Sequence, residues 1–584
     1  MLSDKKSDAQ KMYERWLATV EGDLLGELES IKGDNDAISD RFFRPLGFGT
    51  GGLRGVIGAG TNRMNIHTVG LATQALADWM GHTGSAAIAY DSRDKSDVFA
   101  KAAACVLAAN GVTAHIFGEL QPTPALSHAV RKLGCGAGVV ITASHNPSIY
   151  NGYKCYGPDG CQMTDNSAGE VEEAMAGLDI FDDVKFGGFG DLNKNFDDLM
   201  SRGLIKFIPD DFIEGYLDEV QKSQVEPDAA REAGLSVIYT PLCGAGNVPV
   251  RKILARIGVE AVVVPEQEHP DGDFPRCPFP NPEIREAFDA ALELAEFRRL
   301  HEMTADLLLA TDPDADRVGI AVWDGGKYRL MSGNEVGALM LHYLLSRRNE
   351  RGTLPEKPVA VRSIVTSAIA DRIAADYGCE LRVCLTGFKY IGEIMTELEK
   401  AGEESRFVLG YEESYGYLTG NYARDKDAVL GAMIICEMAA FYKLGGKTLL
   451  DVMEEIYGRY GCYAHRQVNK SFEGESGMRQ MAGIMQDLRE HKPAEIADGV
   501  KVVGWCDYLE SKRARGGESF VIDLPKSNVL EFECADGSIL TARPSGTEPK
   551  IKFYLTAAGD SHESSKARLD RMETYVRREI LKEV

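Results

Sequence analysis

Thr142-Ala143-Ser144-His145-Asn146-Pro147 places a hydroxyl nucleophile at the end of an apolar run, inside a turn that cannot continue as a strand. The preceding run, Ala137 to Ile141, is short, β-branched and bounded by glycine, which predicts a buried parallel strand. Asn146-Pro147 then forces a turn, the place where a phosphorylatable serine would sit. On these residues alone a purely structural turn remains the simpler reading. A second stretch, Asp312-Pro313-Asp314-Ala315-Asp316-Arg317, follows the apolar strand Leu307-Leu308-Leu309. Its three alternating carboxylates repel one another by on the order of a few kcal/mol per pair at ~4 Å unless a cation sits between them. A hard divalent ion, Mg²⁺ above all, is the expected occupant, because an EF-hand needs Gly and Glu where this chain has Arg317 and Trp323. A solvated acidic turn is the competing reading. The position at a strand's carboxyl end, where α/β sheets build their sites, favours the metal.

Other loops carry weaker signals. Gly47 to Gly55 contains GxGxxG but lacks a strand before it, so the loop with Arg54 reads as backbone brought close to a ligand anion. Gly445-Gly446-Lys447-Thr448 resembles half a P-loop, but Phe441 stands where the first glycine belongs, and the glycines read as a helix terminator. Tyr411-Glu412-Glu413-Ser414 offers carboxylates and a hydroxyl suited to vicinal sugar hydroxyls, or simply an acidic turn. Arg424-Asp425-Lys426-Asp427 sets a lysine between carboxylates, where burial could tune it for proton transfer; a solvated ion-pair turn explains it equally well. Arg543-Pro544-Ser545-Gly546-Thr547 combines a guanidinium fork, two hydroxyls and a glycine, the means of holding a phosphate dianion.

The elements that must position these loops read as alternating strands and helices. Ala86–Tyr90, His115–Phe117 and the strand before Ser144 alternate with helices over Val98–Ala109 and Leu126–Lys132. The alternation restarts with Leu235–Thr240, Val248–Ile257, Ala261–Val264 and Asp306–Ala310, and again from Pro358–Val361 through Arg406–Leu409. Such repetition predicts α/β domains on parallel sheets. Met12, Trp16, Val20 and Leu24 share one helical face, predicting an arm over 8–44 that packs on the first domain. A last segment ends in a strand over Ile551–Leu555 and a helix over Lys566–Lys582. At 584 residues the chain is too long for one core, and its 44% hydrophobic and 26% charged residues are those of an ordinary globular protein. A net charge of −24 argues against nucleic acid or anionic membrane as a general partner, so an anionic substrate needs a local concentration of Arg and Lys. Twelve cysteines without CxxC or zinc spacing, and an N-terminus without a secretory core, predict a reduced, cytoplasmic protein with no transmembrane helix.

Taken in order, the loops TASHNP, DPDADR, YEESYGY and RPSGTEPK resemble those of the α-D-phosphohexomutases, the family of phosphoglucomutases and phosphomannomutases. The likeness covers the chain beyond the N-terminal arm. It implies three related α/β domains plus a C-terminal α+β domain, similar to the TATA-binding-protein fold, around a central cleft. The boundaries expected are 1–44 for the arm, then 45–208, 209–326, 327–454 and 455–584. It implies an isomerase that interconverts glucose 1-phosphate and glucose 6-phosphate through a phosphoserine and glucose 1,6-bisphosphate. Ser144 would carry the phosphoryl group, and Asp312, Asp314 and Asp316 would hold Mg²⁺ against it. Arg54, His145, Lys154 and Lys426 would line the reaction centre, Lys154 and Lys426 being candidates for proton transfer. Arg317, Lys389, Glu412, Ser414, Arg543, Ser545, Gly546 and Thr547 would bind the phosphosugar. The chain would be a monomer or homodimer.

Two departures bear on the substrate. Pro313 and Ala315 stand where many members have glycines, and Gly416-Tyr417 where bifunctional members place a histidine. The glycine loop and metal loop are most similar to the bacterial α-phosphoglucomutase branch related to phosphopentomutases. Phosphomannomutase and phosphopentomutase activities stay open as alternatives. A serine-dependent sugar phosphatase would share the nucleophile and metal, and a non-catalytic sugar-phosphate sensor would need the loops only for binding.

Overall fold

The computed structural model describes residues 2–49, 51–186, 191–472, 474–497, 499–545 and 550–583, apart from the side chains of 2–7 and 474–476. The chain divides into two compact units, one formed by Met1–Gly333, Ile391–Phe407 and Ser414–Gly446, the other by Asn334–Tyr390, Val408–Glu413 and Lys447–Val584.

In the first unit the arm is three helices, Leu2–Thr19, Gly22–Ser30 and Asn35–Phe42. Trp16, Val20, Leu28 and Phe42 form their core with Ala59 and Ile180, as the four-residue spacing predicts. A six-stranded sheet follows, in the spatial order Gly52–Val56, Tyr150–Tyr156, Ala137–Ile141, Ser85–Tyr90, Thr113–Phe117, Ile205–Ile208. Alanines at 100, 103, 104 and 108 on the helix Ser96–Ala109 are buried in the core against this sheet. A five-stranded sheet runs Tyr328–Met331, Val318–Trp323, Leu307–Thr311, Val237–Thr240, Ala261–Val263. Both sheets depart from the expected all-parallel arrangement. Tyr150–Tyr156 pairs antiparallel with Ala137–Ile141 and with Gly52–Val56, and Val318–Trp323 pairs antiparallel with Leu307–Thr311. In each case the strand carrying a reactive loop is followed by a hairpin return, and this return brings the loop's flanking residues back across the site.

The apolar helix Ala428–Leu444 is buried nearly all round and is capped by Asp427, whose carboxylate accepts from the Val429 and Leu430 amides. It ends at Gly445 and Gly446, and Thr448 starts the next helix with a capping box, so the half P-loop is a helix junction.

In the second unit, Val359–Ser363 lies between Glu380–Cys384, with which it pairs in parallel, and Phe407–Glu412. The other sheet has seven strands, in the order Cys462–Ser471, Lys550–Gly559, Ile539–Pro544, Leu530–Cys534, Val502–Asp507, Lys512–Arg515, Glu518–Val521, all antiparallel. Met481, Met485 and Leu569 from two helices close its core with Phe532 and Phe553. The C-terminal helix starts at His562, four residues before the expected Lys566, because Ser561 forms a capping box with Ser564; it runs to Tyr575 and ends in a π turn over Val576–Ile580. Among the described residues no single helix is long and apolar enough to cross a membrane. All twelve cysteines are free and buried.

Candidate active site

Ser144 follows the fully buried strand Ala137–Ile141 and has φ of +52°, a left-handed conformation that serine seldom adopts. Its amide donates to Thr142 Oγ1 at 2.8 Å, and Oγ lies 3.1 Å from His145 Nδ1. Oγ also donates to Asp312 Oδ2 at 2.9 Å, across 168 residues of sequence. The metal-type loop and the serine loop therefore meet.

Asp312 heads the loop after Leu307–Thr311, and its Oδ1 accepts from the amides of Asp316 at 3.1 Å and Arg317 at 3.0 Å. These bonds curl the chain so that one carboxylate oxygen from each of Asp312, Asp314 and Asp316 lies within 4.8 Å of the others. All three side chains are buried. Two ammonium groups face them. Lys154 Nζ is 2.8 Å from Asp314 Oδ2 and 3.4 Å from Asp316 Oδ2, while Lys426 Nζ is 2.7 Å from Asp316 Oδ2. Burial, reinforced by Asp314 and Asp316, pushes the Asp312 carboxyl well above the ordinary range. Burial also pushes Asp314 up, but Lys154 and hydrogen bonds from Asp312 and Lys154 outweigh it and hold that carboxyl well below the usual range. For Lys154 burial favours loss of the proton, and the attraction of Asp314 and Asp316 reverses that, so it stays charged.

A hard cation fits this donor set. Asp314 Oδ1 and Asp316 Oδ1 are buried with no hydrogen-bond partner, a costly arrangement that a cation bound to oxygen would relieve. Asp312, Asp314, Asp316 and Ser144 Oγ are the oxygen donors gathered there.

Several residues that support the site gave little sequence signal. Thr123, first residue of the helix Thr123–Leu133, donates through Oγ1 to Asp314 Oδ2 at 3.1 Å, and its amide bonds Asp314 O at 2.9 Å. The expected helix began at Leu126 and so left Thr123 out. The loop carrying Lys426 is braced on three sides. Tyr156 donates to Asp425 at 2.7 Å, Tyr216 and Tyr422 donate to Asp427 at 2.7 and 2.6 Å, and the Arg424 amide donates to Ser127 Oγ at 2.8 Å. A Cβ at Gly416 would come within 2.3 Å of Lys426 Cδ, so glycine there leaves the channel for the lysine stem.

Arg317 pairs with Glu283, and its Nε lies 3.8 Å from Asp316 Oδ1. Arg54 is exposed on Gly52–Val56, in register with Gly152. A Cβ at Gly52 would fall 1.9 Å from Tyr153 O, so this glycine admits a close approach of the neighbouring strand. Ser414 is half-buried in the first unit. In the second unit, Glu412 is buried and accepts from the Gly387 amide at 2.9 Å, two residues before Lys389, whose ammonium lies 5.0 Å from the centre of the Tyr390 ring. Arg543 lies on Ile539–Pro544, in register with Lys552, and the Ser545 amide bonds Lys550 O at 2.7 Å. Gly546 and Thr547 lie outside the described residues.

Models of phosphoglucomutase/phosphomannomutase α/β/α domains I, II and III match residues 45–179, 214–325 and 332–460. The chain is 35% identical over 529 residues to a phosphoglucomutase of Staphylococcus haemolyticus, covering 89% of this chain and 92% of that one. A phosphoglucomutase of Staphylococcus epidermidis is 36% identical over 524 residues, covering 88% and 91%. Among solved structures, the phosphoglucomutase pp63/parafusin of Paramecium in its open form superimposes with a TM-score of 0.64 at 17% identity, over 91% of this chain and 95% of that one. A phosphoglucomutase/phosphomannomutase family protein of Burkholderia thailandensis does so with a TM-score of 0.61 at 18% identity, over 91% and 96%. Three matched α/β/α domains followed by a largely stranded C-terminal sheet, with similarity along nearly the whole chain, place this protein in the phosphoglucomutase/phosphomannomutase family.

Proposed function

We propose that the protein interconverts glucose 1-phosphate and glucose 6-phosphate, with Ser144 as the phosphoryl carrier. One observation carries this reading: a serine hydroxyl held in a left-handed turn, hydrogen-bonded to a buried carboxylate triad that two lysines face. That combination suits transfer of a dianionic group, because catalysis of phosphoryl transfer is chiefly positioning and charge stabilisation. The relatives at 33–36% identity named phosphoglucomutase favour glucose over mannose or pentose phosphates.

In the reaction, the bond from phosphorus to Ser144 Oγ breaks as one forms to the free sugar hydroxyl; the hydroxyl's proton passes to a base, and Ser144 Oγ takes up a proton as its phosphoryl group leaves. The resulting glucose 1,6-bisphosphate turns over and returns its other phosphate to Ser144, releasing the isomer. Lys154 and Lys426 both face Asp316 Oδ2; Lys154, which stays charged, can give up a proton, and Lys426 is the candidate to take one. Asp312, Asp314 and Asp316, with Ser144 Oγ, would hold Mg²⁺, which when bound neutralises the carboxylates and draws charge from the phosphoryl oxygens. Arg317, Lys389, Glu412 and Ser414, with the loop from Arg543 to Thr547, would bind the sugar and its non-reacting phosphate. The test is turnover of glucose 1-phosphate, mannose 1-phosphate and ribose 1-phosphate by the purified protein with Mg²⁺ and catalytic sugar bisphosphate. Glucose 1-phosphate should be the fastest. A preference for ribose or mannose 1-phosphate would overturn the assignment of substrate, and phosphate release without isomer would overturn the mutase.

A further inference from the structure

Arg93 has a side chain with no solvent exposure, and its guanidinium is spent on main-chain oxygens of a single loop. Nη1 donates to Pro147 O at 2.9 Å and Tyr150 O at 3.0 Å; Nη2 donates to Ser144 O at 2.5 Å and to Asn146 O. Its Nε lies 3.3 Å from Asp91 Oδ2. Asp91 in turn accepts from Thr142 Oγ1 at 2.6 Å, and Thr142 Oγ1 accepts from the Ser144 amide. The loop is thus gripped immediately before Ser144 through Asp91 and Thr142, and at and after it by Arg93.

The clamp has a lid from the second sheet's connections. The Phe274 ring caps the guanidinium at 5.0 Å. Phe274 is 1% exposed and has φ of +48°, where a bulky residue is an outlier that its surroundings must hold in place. Beside it, a Cβ at Gly272 would meet Asp94 N at 2.5 Å, so this connection is seated directly on the backbone around Arg93. A planar guanidinium with five N–H donors can bond four carbonyls and stack on a ring together; a lysine ammonium has three donors and no flat face.

Building on the reading of Ser144 as phosphoryl carrier, we propose that Arg93, capped by Phe274, is the positioning residue that fixes the Ser144 loop in its reacting conformation. Neither residue needs to touch the sugar. Their effect is to hold Oγ at its place beside Asp312, and a loop that drifts by about 1 Å loses roughly a hundredfold in rate.

The experiment compares Arg93→Lys, Arg93→Met and Phe274→Leu with the wild type, all as full-length protein. Three quantities are measured: amide hydrogen exchange, single-turnover phosphate uptake by Ser144 from glucose 1,6-bisphosphate, and steady-state kinetics with glucose 1-phosphate. The clamp predicts faster exchange confined to residues 142–152, and kcat lower by roughly a hundredfold for Arg93→Lys, with KM nearly unchanged. Phe274→Leu should show the same pattern more weakly, and it decides the matter if the Arg93 variants fail to fold. Unchanged exchange over 142–152 in folded variants, exchange rising evenly over the whole first sheet, or an unchanged kcat would overturn the proposal. If the wild type takes up no phosphate and turns over no sugar phosphate, the reading of Ser144 falls, and the exchange pattern alone decides the clamp.

Discussion

Two groups of metal-ligand type occur among the described residues, one wholly buried and one partly so, and they differ in almost everything except their count. Asp312, Asp314 and Asp316 gather in the first unit; Cys506, Glu531 and Glu533 gather in the second, each set with its ligand atoms within 4.8 Å. The first sits in a loop at a strand's carboxyl end, touches a serine hydroxyl and keeps two carboxylate oxygens without hydrogen-bond partners. The second sits within antiparallel strands, Cys506 directly opposite Glu531. There Glu533 is taken by Arg513 at 2.6 Å, with Arg515 at 3.5 Å. Burial, then the charge of Glu533, pushes the Glu531 carboxyl up to about 7, with Arg362 and Arg513 only partly opposing. Below about pH 7 a proton on Glu531 can relieve that cluster. Burial and acidity are therefore common to both; what sets the first apart as a candidate cation site is its unsatisfied oxygens beside a serine hydroxyl.

The sharpest way to break the contrast is to remove the reacting group. Ser144→Ala should lower kcat by more than about 10⁴-fold in a steady-state assay while the melting temperature stays near that of the wild type, since the covalent carrier is lost and no core contact is. Asp314→Asn should raise the Mg²⁺ concentration for half-maximal activity by roughly ten- to a hundredfold, with excess Mg²⁺ restoring part of the rate. Glu533→Gln should leave that titration unmoved. An equal response in both would erase the distinction between the clusters.

Arg543→Ala tests the second unit's part in binding. If Arg543 holds the non-reacting phosphate as proposed, its loss should lower kcat/KM for both isomers by roughly ten- to a hundredfold. Lysine at that position should not restore it, because it lacks the fork.

The remaining expected effect is on stability rather than on rate. Glu531 titrates near 7 in the folded chain against an ordinary 4.5, so the folded state holds its proton more tightly. Its contribution is fully present below about pH 4.5 and is lost as the pH rises through 7, a change of about 3 kcal/mol. Glu531→Gln should therefore melt higher than the wild type at pH 8, with the difference shrinking toward pH 5. A constant difference across that range would mean that Glu531 is ionised throughout.

The sequence made some of this legible and hid the rest for physical reasons. Asp312 to Asp316 stand out because alternating carboxylates in a tight turn are costly without a counter-charge. The junction at Gly445 was readable because a missing glycine excludes the phosphate loop. By contrast, Tyr150-Asn-Gly-Tyr-Lys-Cys-Tyr lacks the alternation of a half-buried strand, and its pairing with Gly52–Val56 depends on Gly52 admitting Tyr153 O, which no local pattern reveals. Gly416 looked like a missing histidine and is the space that Lys426 occupies. Thr123 and Arg93 act through partners 191 and 51 residues away. Local patterns cannot show such pairings, because the fold alone brings those residues together.

Ser144 is the most direct point of test. The wild type and Ser144→Ala would each be incubated with Mg²⁺ and glucose 1,6-bisphosphate, and the mass of the intact protein and of the peptide spanning residue 144 would be measured. The account predicts one phosphate on the wild type, located on Ser144, removed on addition of excess glucose 1-phosphate and absent from the variant. Full mutase turnover by a wild type that never carries phosphate on Ser144, or by the Ser144→Ala variant, would contradict it.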